Sequence, residues 1–135
     1  MTTKMFVNLP VKDLKKSMAF FEALGFTFNP QFTDDTAACM VISEHNYAML
    51  LTHDKFKMFT SKPIADAHKS TQVLIALALE SKAAVDEIAA KALKAGGREP
   101  KPMQDYGFMV QRTIEDLDGY TWEPFWMDPA HVQPQ

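Results

Sequence analysis

Leu9-Pro10-Val11-Lys12-Asp13-Leu14-Lys15-Lys16-Ser17, carried on by Phe20-Phe21 and Leu24-Gly25-Phe26, is the stretch on which the fold turns. Residues 4–11 read as a strand that Pro10, lacking a backbone N–H, brings to an end. Asp13 suits a helix N-cap, because its carboxylate accepts from free backbone N–H groups and favours the positive end of the helix. Leu14, Met18, Phe21 and Leu24 follow at helical spacing, with Ser17 and Phe20 alongside, and Gly25 supplies the stop. Three strand-like runs come next, over 26–32, 36–42 and 47–52, the last after the polar turn Glu44-His45-Asn46.

The second half repeats this order. Residues 73–79 form an apolar strand, and Ser81 caps a helix over 82–95 whose buried stripe is Val85, Ile88, Ala89, Ala92 and Leu93. Gly96-Gly97 stop it. Residues 98–102 read as a short edge strand interrupted by proline, 107–114 as another strand, Asp118-Gly119 as a tight turn, and 120–127 as the last strand. Gly25 and Gly96 lie roughly 70 residues apart, which suits two tandem βαβββ units. The expected fold is α+β: one domain over 1–135, with module 1 at about 4–53, a linker at 54–71 and module 2 at about 72–128. In this reading the mixed sheets curve round a shared cleft and the helices lie on the outer faces. The linker carries a short helical turn, or else forms a lid over a ligand.

The 135 residues suffice for one domain with a core, and a net charge of -3 gives no reason to expect nucleic acid or an anionic membrane as partner. No apolar run approaches the ~20 residues of a membrane span, and the N-terminus lacks a signal peptide's regions. Cys39, the single cysteine, lies in an apolar strand and reads as a buried, inert thiol. All of this points to the cytoplasm.

The quoted opening segment resembles that of the glyoxalase, bleomycin-resistance and extradiol-dioxygenase superfamily, the vicinal oxygen chelate proteins. The closing segment Glu115-Asp116-Leu117-Asp118-Gly119-Tyr120-Thr121-Trp122-Glu123 resembles that superfamily's Asp-Pro-Asp-Gly motif and following glutamate, with Leu117 in place of the proline. The resemblance spans essentially the whole chain. It implies a divalent metal held by His, Glu or Gln side chains from four strands. Carried over by position, those places fall at Phe6, near Leu50 (or Ala48 or Thr52), near Leu74 (with Gln72 the nearest polar residue of that parity) and at Glu123. Only Glu123 is a competent ligand, so no metal site and no cofactor are expected. A metal-dependent glyoxalase-like lyase or extradiol-type dioxygenase is the alternative, and a drug- or metabolite-sequestering protein a further one. Homodimerisation is also implied.

Residues of one parity share a strand face, so Asn8 should accompany Phe6, and Thr121 and Phe125 should accompany Glu123. Asn8, Thr52, Gln72 and Glu123 would then line an apolar cleft for a small organic ligand, with Glu123 as general base. Arg112 either binds an anionic ligand, pairs with Glu123 or stands exposed. Tyr106, in the turn Asp105-Tyr106-Gly107, is placed to stack on a ligand. Trp122 and Trp126, of opposite parity, pack beneath the helices. His45, His53, His68 and His131 are scattered and read as surface residues.

Overall fold

The computed structural model describes residues 2–131, and the part of the C-terminal tail beyond them, expected to be loosely ordered, lies outside that range. The chain divides into two compact units, residues 1–66 and 67–135, with the boundary inside the expected linker.

The first unit contains β1 (Met5–Val11), α1 (Leu14–Ala23), β2 (Thr27–Asn29), β3 (Ala37–Val41), β4 (Asn46–Thr52) and α2 (His53–Lys57). Its sheet runs β1-β4-β3-β2, with β1 and β4 parallel and the other pairs antiparallel. Asp13 caps α1, its side chain accepting from Lys16 N at 3.1 Å. Gly25 takes a φ of 106°, a left-handed conformation that side chains resist. The strand expected over 26–32 is cut short. Pro30 starts a 3-10 turn over Pro30–Phe32, and the Asn29 side chain caps it by accepting from Gln31 N at 3.0 Å.

The second unit contains β5 (Leu74–Ala78), α3 (Lys82–Lys94), β6 (Gln104–Asp105), β7 (Met109–Gln111), β8 (Ile114–Glu115) and β9 (Thr121–Met127). The sheet order is β5-β9-β7-β6, with β8 also on β9, and β5 lies parallel to β9. Ser81 caps α3 through Ala84 N at 3.0 Å. β7 and β8 keep one register against β9, from Met109↔Met127 to Glu115↔Thr121. They separate opposite Pro124, which still accepts from Arg112 N at 3.0 Å but has no N–H to return. The proline thus removes one bond of the ladder without shifting its parity. The expected edge strand at 98–102 shrinks to a single bridge, Arg98↔Glu115, and the hairpin partner of β7 is β6 instead.

Each sheet buries one face under its helix. In the first unit, Leu9, Val11, Ala38, Met40, Ala48 and Leu50 mark that face, all at 4% exposure or less, and α1 packs over β3 and β4. In the second, Trp122, Pro124, Val110 and Ile114 lie against α3, whose Val85, Ala89 and Ala92 have no exposed surface. This arrangement of two mixed sheets with few helices matches the expected α+β class.

Candidate functional site

Strand register decides which side chains share a face, because paired residues on neighbouring strands project to the same side. In the first unit Phe6 pairs with Tyr47, and Asn8 pairs with Met49. The Phe6 and Tyr47 rings stack at 4.7 Å and 12°, and Lys4 Nζ lies 5.9 Å from the Tyr47 ring centre. Phe6 is 48% exposed, Asn8 is exposed, and Tyr47 and Met49 are half-buried. Away from the helix, this face is closed where Pro10, Ala37, Cys39 and Leu51 are buried.

Leu50 and Thr52 therefore do not join Phe6. They pair with Leu9 and Val11 on the helix side, and Ala48 shares that face. Leu50 has no exposed surface, and Thr52 Oγ1 accepts from Lys55 N at 3.2 Å to cap α2. The side chain that takes the expected place is Met49. Parity here is set by the parallel register of β1 on β4, fixed at its start by Met5 N donating to His45 O at 2.8 Å. That long-range contact has no signature in a count along one strand.

In the second unit the expected grouping is found. Leu74 pairs with Thr121, Ala76 with Glu123 and Ala78 with Phe125, so Leu74, Thr121, Glu123 and Phe125 share the face away from α3. The continuous register of β7 and β8 adds Gln111 and Thr113 to it. Gln111 Nε2 donates to Glu123 Oε2 at 3.0 Å. The sequence reading missed Gln111, although alternation along 109–115 puts it in phase with Thr113. Gln72 precedes β5 and is exposed.

Arg112 lies on the other face, away from Glu123. It donates to both oxygens of Glu99, through Nε and Nη2 at 2.8 Å each, and through Nη1 to Asp86 of α3 at 3.0 Å. The bond to Arg112 holds the Glu99 carboxyl below its ordinary range, and the bond to Glu99 in turn raises the guanidinium's pKa. With its donors so engaged, Arg112 fastens the sheet to the helix and does not serve an anionic ligand. Trp122 and Trp126 fall on this helix side, as expected. Lys82 Nζ sits 5.4 Å from the Trp126 ring centre, and Trp122 is buried.

Tyr106 occupies the tip of the β6–β7 hairpin, where Gly107 takes a φ of 81° and Gly107 N donates to Asp105 Oδ1 at 2.8 Å. The Tyr106 ring is 53% exposed and tilts against Phe108, which stacks on His131 at 4.4 Å.

A second carboxylate went unnoticed in the sequence. Asp116 organises the turn before β9. Its Oδ1 accepts from the backbone of Asp118 and Tyr120 at 3.0 Å each, and its Oδ2 accepts from Trp122 Nε1 at 2.9 Å. Burial pushes its carboxyl up to about 6, against the opposing effect of those three donors. The first aspartate of Asp-Leu-Asp-Gly is the available signal, since aspartate commonly accepts from the backbone two residues on.

Among the described residues, no three His, Cys, Asp or Glu side chains gather so as to hold a metal ion. Taken by register, the four places the resemblance implies are Phe6, Met49, Leu74 and Glu123. A phenyl and a thioether in the first unit, and an alkyl group with one carboxylate in the second, do not supply the nitrogen and oxygen donor set of a catalytic divalent metal.

Residues 3–43 match the bleomycin resistance protein-like N-terminal family. No curated protein matches the chain. Among solved structures, a hypothetical protein from S. aureus is 26% identical at a TM-score of 0.78, covering 93% of this chain and 95% of its own. A glyoxalase/bleomycin resistance protein/dioxygenase family enzyme from Burkholderia phytofirmans is 16% identical at a TM-score of 0.76, covering 90% and 96%. A glyoxalase-related enzyme from Fulvimarina pelagi is 16% identical at a TM-score of 0.78, covering 93% and 88%. The chain thus shares the fold of these glyoxalase/bleomycin resistance/dioxygenase family structures, and its first module matches the bleomycin resistance protein-like N-terminal family.

Proposed function

We propose that this chain binds a small organic ligand on the strand faces its helices leave uncovered, and does so without a catalytic metal. The observation that carries the reading is the donor set of those faces. Phe6, Met49 and Leu74 stand where metal ligands are implied, and Glu123 alone retains a donor. The first face offers a stacked aromatic pair and a thioether, and the second a hydrogen-bonded carboxylate among apolar side chains, each suited to an organic molecule with one or two polar groups.

The direct test is a ligand screen against chelator-treated protein, followed by titration of the hits. Saturable binding mapped to the uncovered face of β1 and β4, or to that of β5 and β9, supports the proposal. Binding that appears only after divalent metal is restored would overturn it. Glu123→Gln then separates catalysis from sequestration: turnover collapses while binding of an uncharged ligand survives if the acid does chemistry.

Among the described residues no helix is long and apolar enough to cross a membrane. We place the protein in the cytoplasm on that ground and on its single buried thiol. The edge strands β1 and β5, with Met5, Phe6, Val73 and Leu74 all at least 46% exposed, support a homodimer. Sedimentation equilibrium tests this, and a monomer at micromolar concentration would contradict it.

A further inference from the structure

The hydrogen-bonding atoms on the uncovered face of the second sheet are unevenly used. Gln111 spends an N–H on Glu123 Oε2. The atoms this pair leaves over include two oxygens, Oε1 of Glu123 and Oε1 of Gln111. Among the described residues no Lys, Arg or His forms an ion pair with Glu123. The one arginine close to it in sequence, Arg112, is turned to the other face and fastened to Glu99 and Asp86. Across the β5 side the neighbour of Glu123 is Ala76, a methyl with neither charge nor donor. Leu74, Phe125, Met109 and Met127 supply the apolar surroundings.

An anion on an apolar strand face is matched by a group that brings positive charge and N–H donors together, since a charge-assisted bond is about twice as strong as a neutral one. An anionic ligand would meet a like charge there. We infer that this face takes an apolar ammonium compound, a protonated amine on an aromatic or hydrocarbon frame. The ammonium is held by Glu123, and Gln111 is a positioning residue that orients the carboxylate. The inference rests on the ligand-binding reading above and specifies its chemistry.

Three probes of one shape and different charge test it: benzylammonium, benzyl alcohol and benzoate, each titrated by calorimetry and mapped by amide shifts of Thr121 and Phe125. Benzylammonium should bind tightest and benzoate weakest, with the preference shrinking as salt rises. Glu123→Gln keeps an oxygen for the Gln111 N–H, and should weaken benzylammonium about tenfold while leaving benzyl alcohol unchanged. Gln111→Leu should weaken benzylammonium a few-fold, roughly half that effect on a logarithmic scale. Benzoate binding as well as benzylammonium, or benzylammonium indifferent to Glu123→Gln, would overturn the inference. If the neutral and anionic probes bind this face and the ammonium does not, the ligand-binding reading stands and the ammonium assignment falls. If none of the three shifts this face, both fall. The charge series uses the unaltered protein, so it decides the matter even where a variant does not fold.

Discussion

Asn8 and Ala76 each lie five residues before the cap of the helix that follows, at Asp13 and Ser81. Their partners across the parallel strand pair differ: Met49 beside Asn8, and Glu123 beside Ala76. One plan has thus been furnished in two ways. The first sheet presents a stacked Phe6–Tyr47 pair and a thioether, and the second presents a carboxylate held by Gln111. Their helix sides also differ in means. The first is sealed mainly by apolar side chains, with Ser17 the buried polar one of α1, whereas the second adds an ion-pair clamp at Arg112 and a buried carboxylate at Asp116. The helix-covered and uncovered faces are therefore written on opposite parities of the same strands.

The sharpest way to break that division is to truncate neighbours of opposite parity. Leu50→Ala should lower unfolding stability by about 2–5 kcal/mol, since it empties a fully buried position. Met49→Ala, on the half-buried face, should lose roughly 1 kcal/mol and alter ligand binding. Urea unfolding of both variants checks this, and the reverse order would exchange the two faces.

Asp116 offers the next largest effect. Its carboxyl is raised from an ordinary 3.8 to about 6, so the folded state holds the proton more tightly than the unfolded chain. The associated stability is complete below about pH 4 and is lost as pH rises through about 6, a fall on the order of 2–3 kcal/mol. Urea midpoints across that window measure it. Trp122 fluorescence, in a Trp126→Phe background, should titrate with the same midpoint, because Trp122 Nε1 donates to this carboxylate.

Gly119→Ala should destabilise by about 2 kcal/mol, more than Gly25→Ala. Both glycines have positive φ, but a methyl on Gly119 would lie 2.7 Å from the backbone nitrogen of His68, while Gly25 faces open space. Equal melting shifts for the two would remove the role of packing at Gly119. Arg112→Met should cost about 1–2 kcal/mol by leaving Glu99 unpaired, with no change in the affinity of any ligand. Lost binding there would return Arg112 to the ligand surface.

Much of the scaffold is legible in the residues. Asp13 and Ser81 announce the helix starts, Gly25 and Gly96 the stops, and Asp118-Gly119 the final turn, because caps and left-handed turns are chosen by a few neighbouring atoms. Strand ends are less legible where a proline intervenes, as at Pro30 and within 98–102. The site is half legible. Glu123, Thr121 and Phe125 follow from alternation along one strand, and Pro124 proves harmless to it. Met49 and Gln111 depend on how one strand slides against another, a register fixed by contacts distant in sequence. Arg112 and Asp116 show the same limit for polar side chains, whose partners at Glu99 and Trp122 lie on other elements or across the turn.

On the proposed reading, the uncovered strand faces hold too few donor atoms for a divalent metal ion. The most direct measurement loads purified protein in turn with nickel, zinc, iron and manganese, removes free metal, and counts ions per chain. The account predicts well below one ion per chain for each metal, unchanged in Glu123→Ala. One tightly held ion per chain, released by Glu123→Ala, would contradict it.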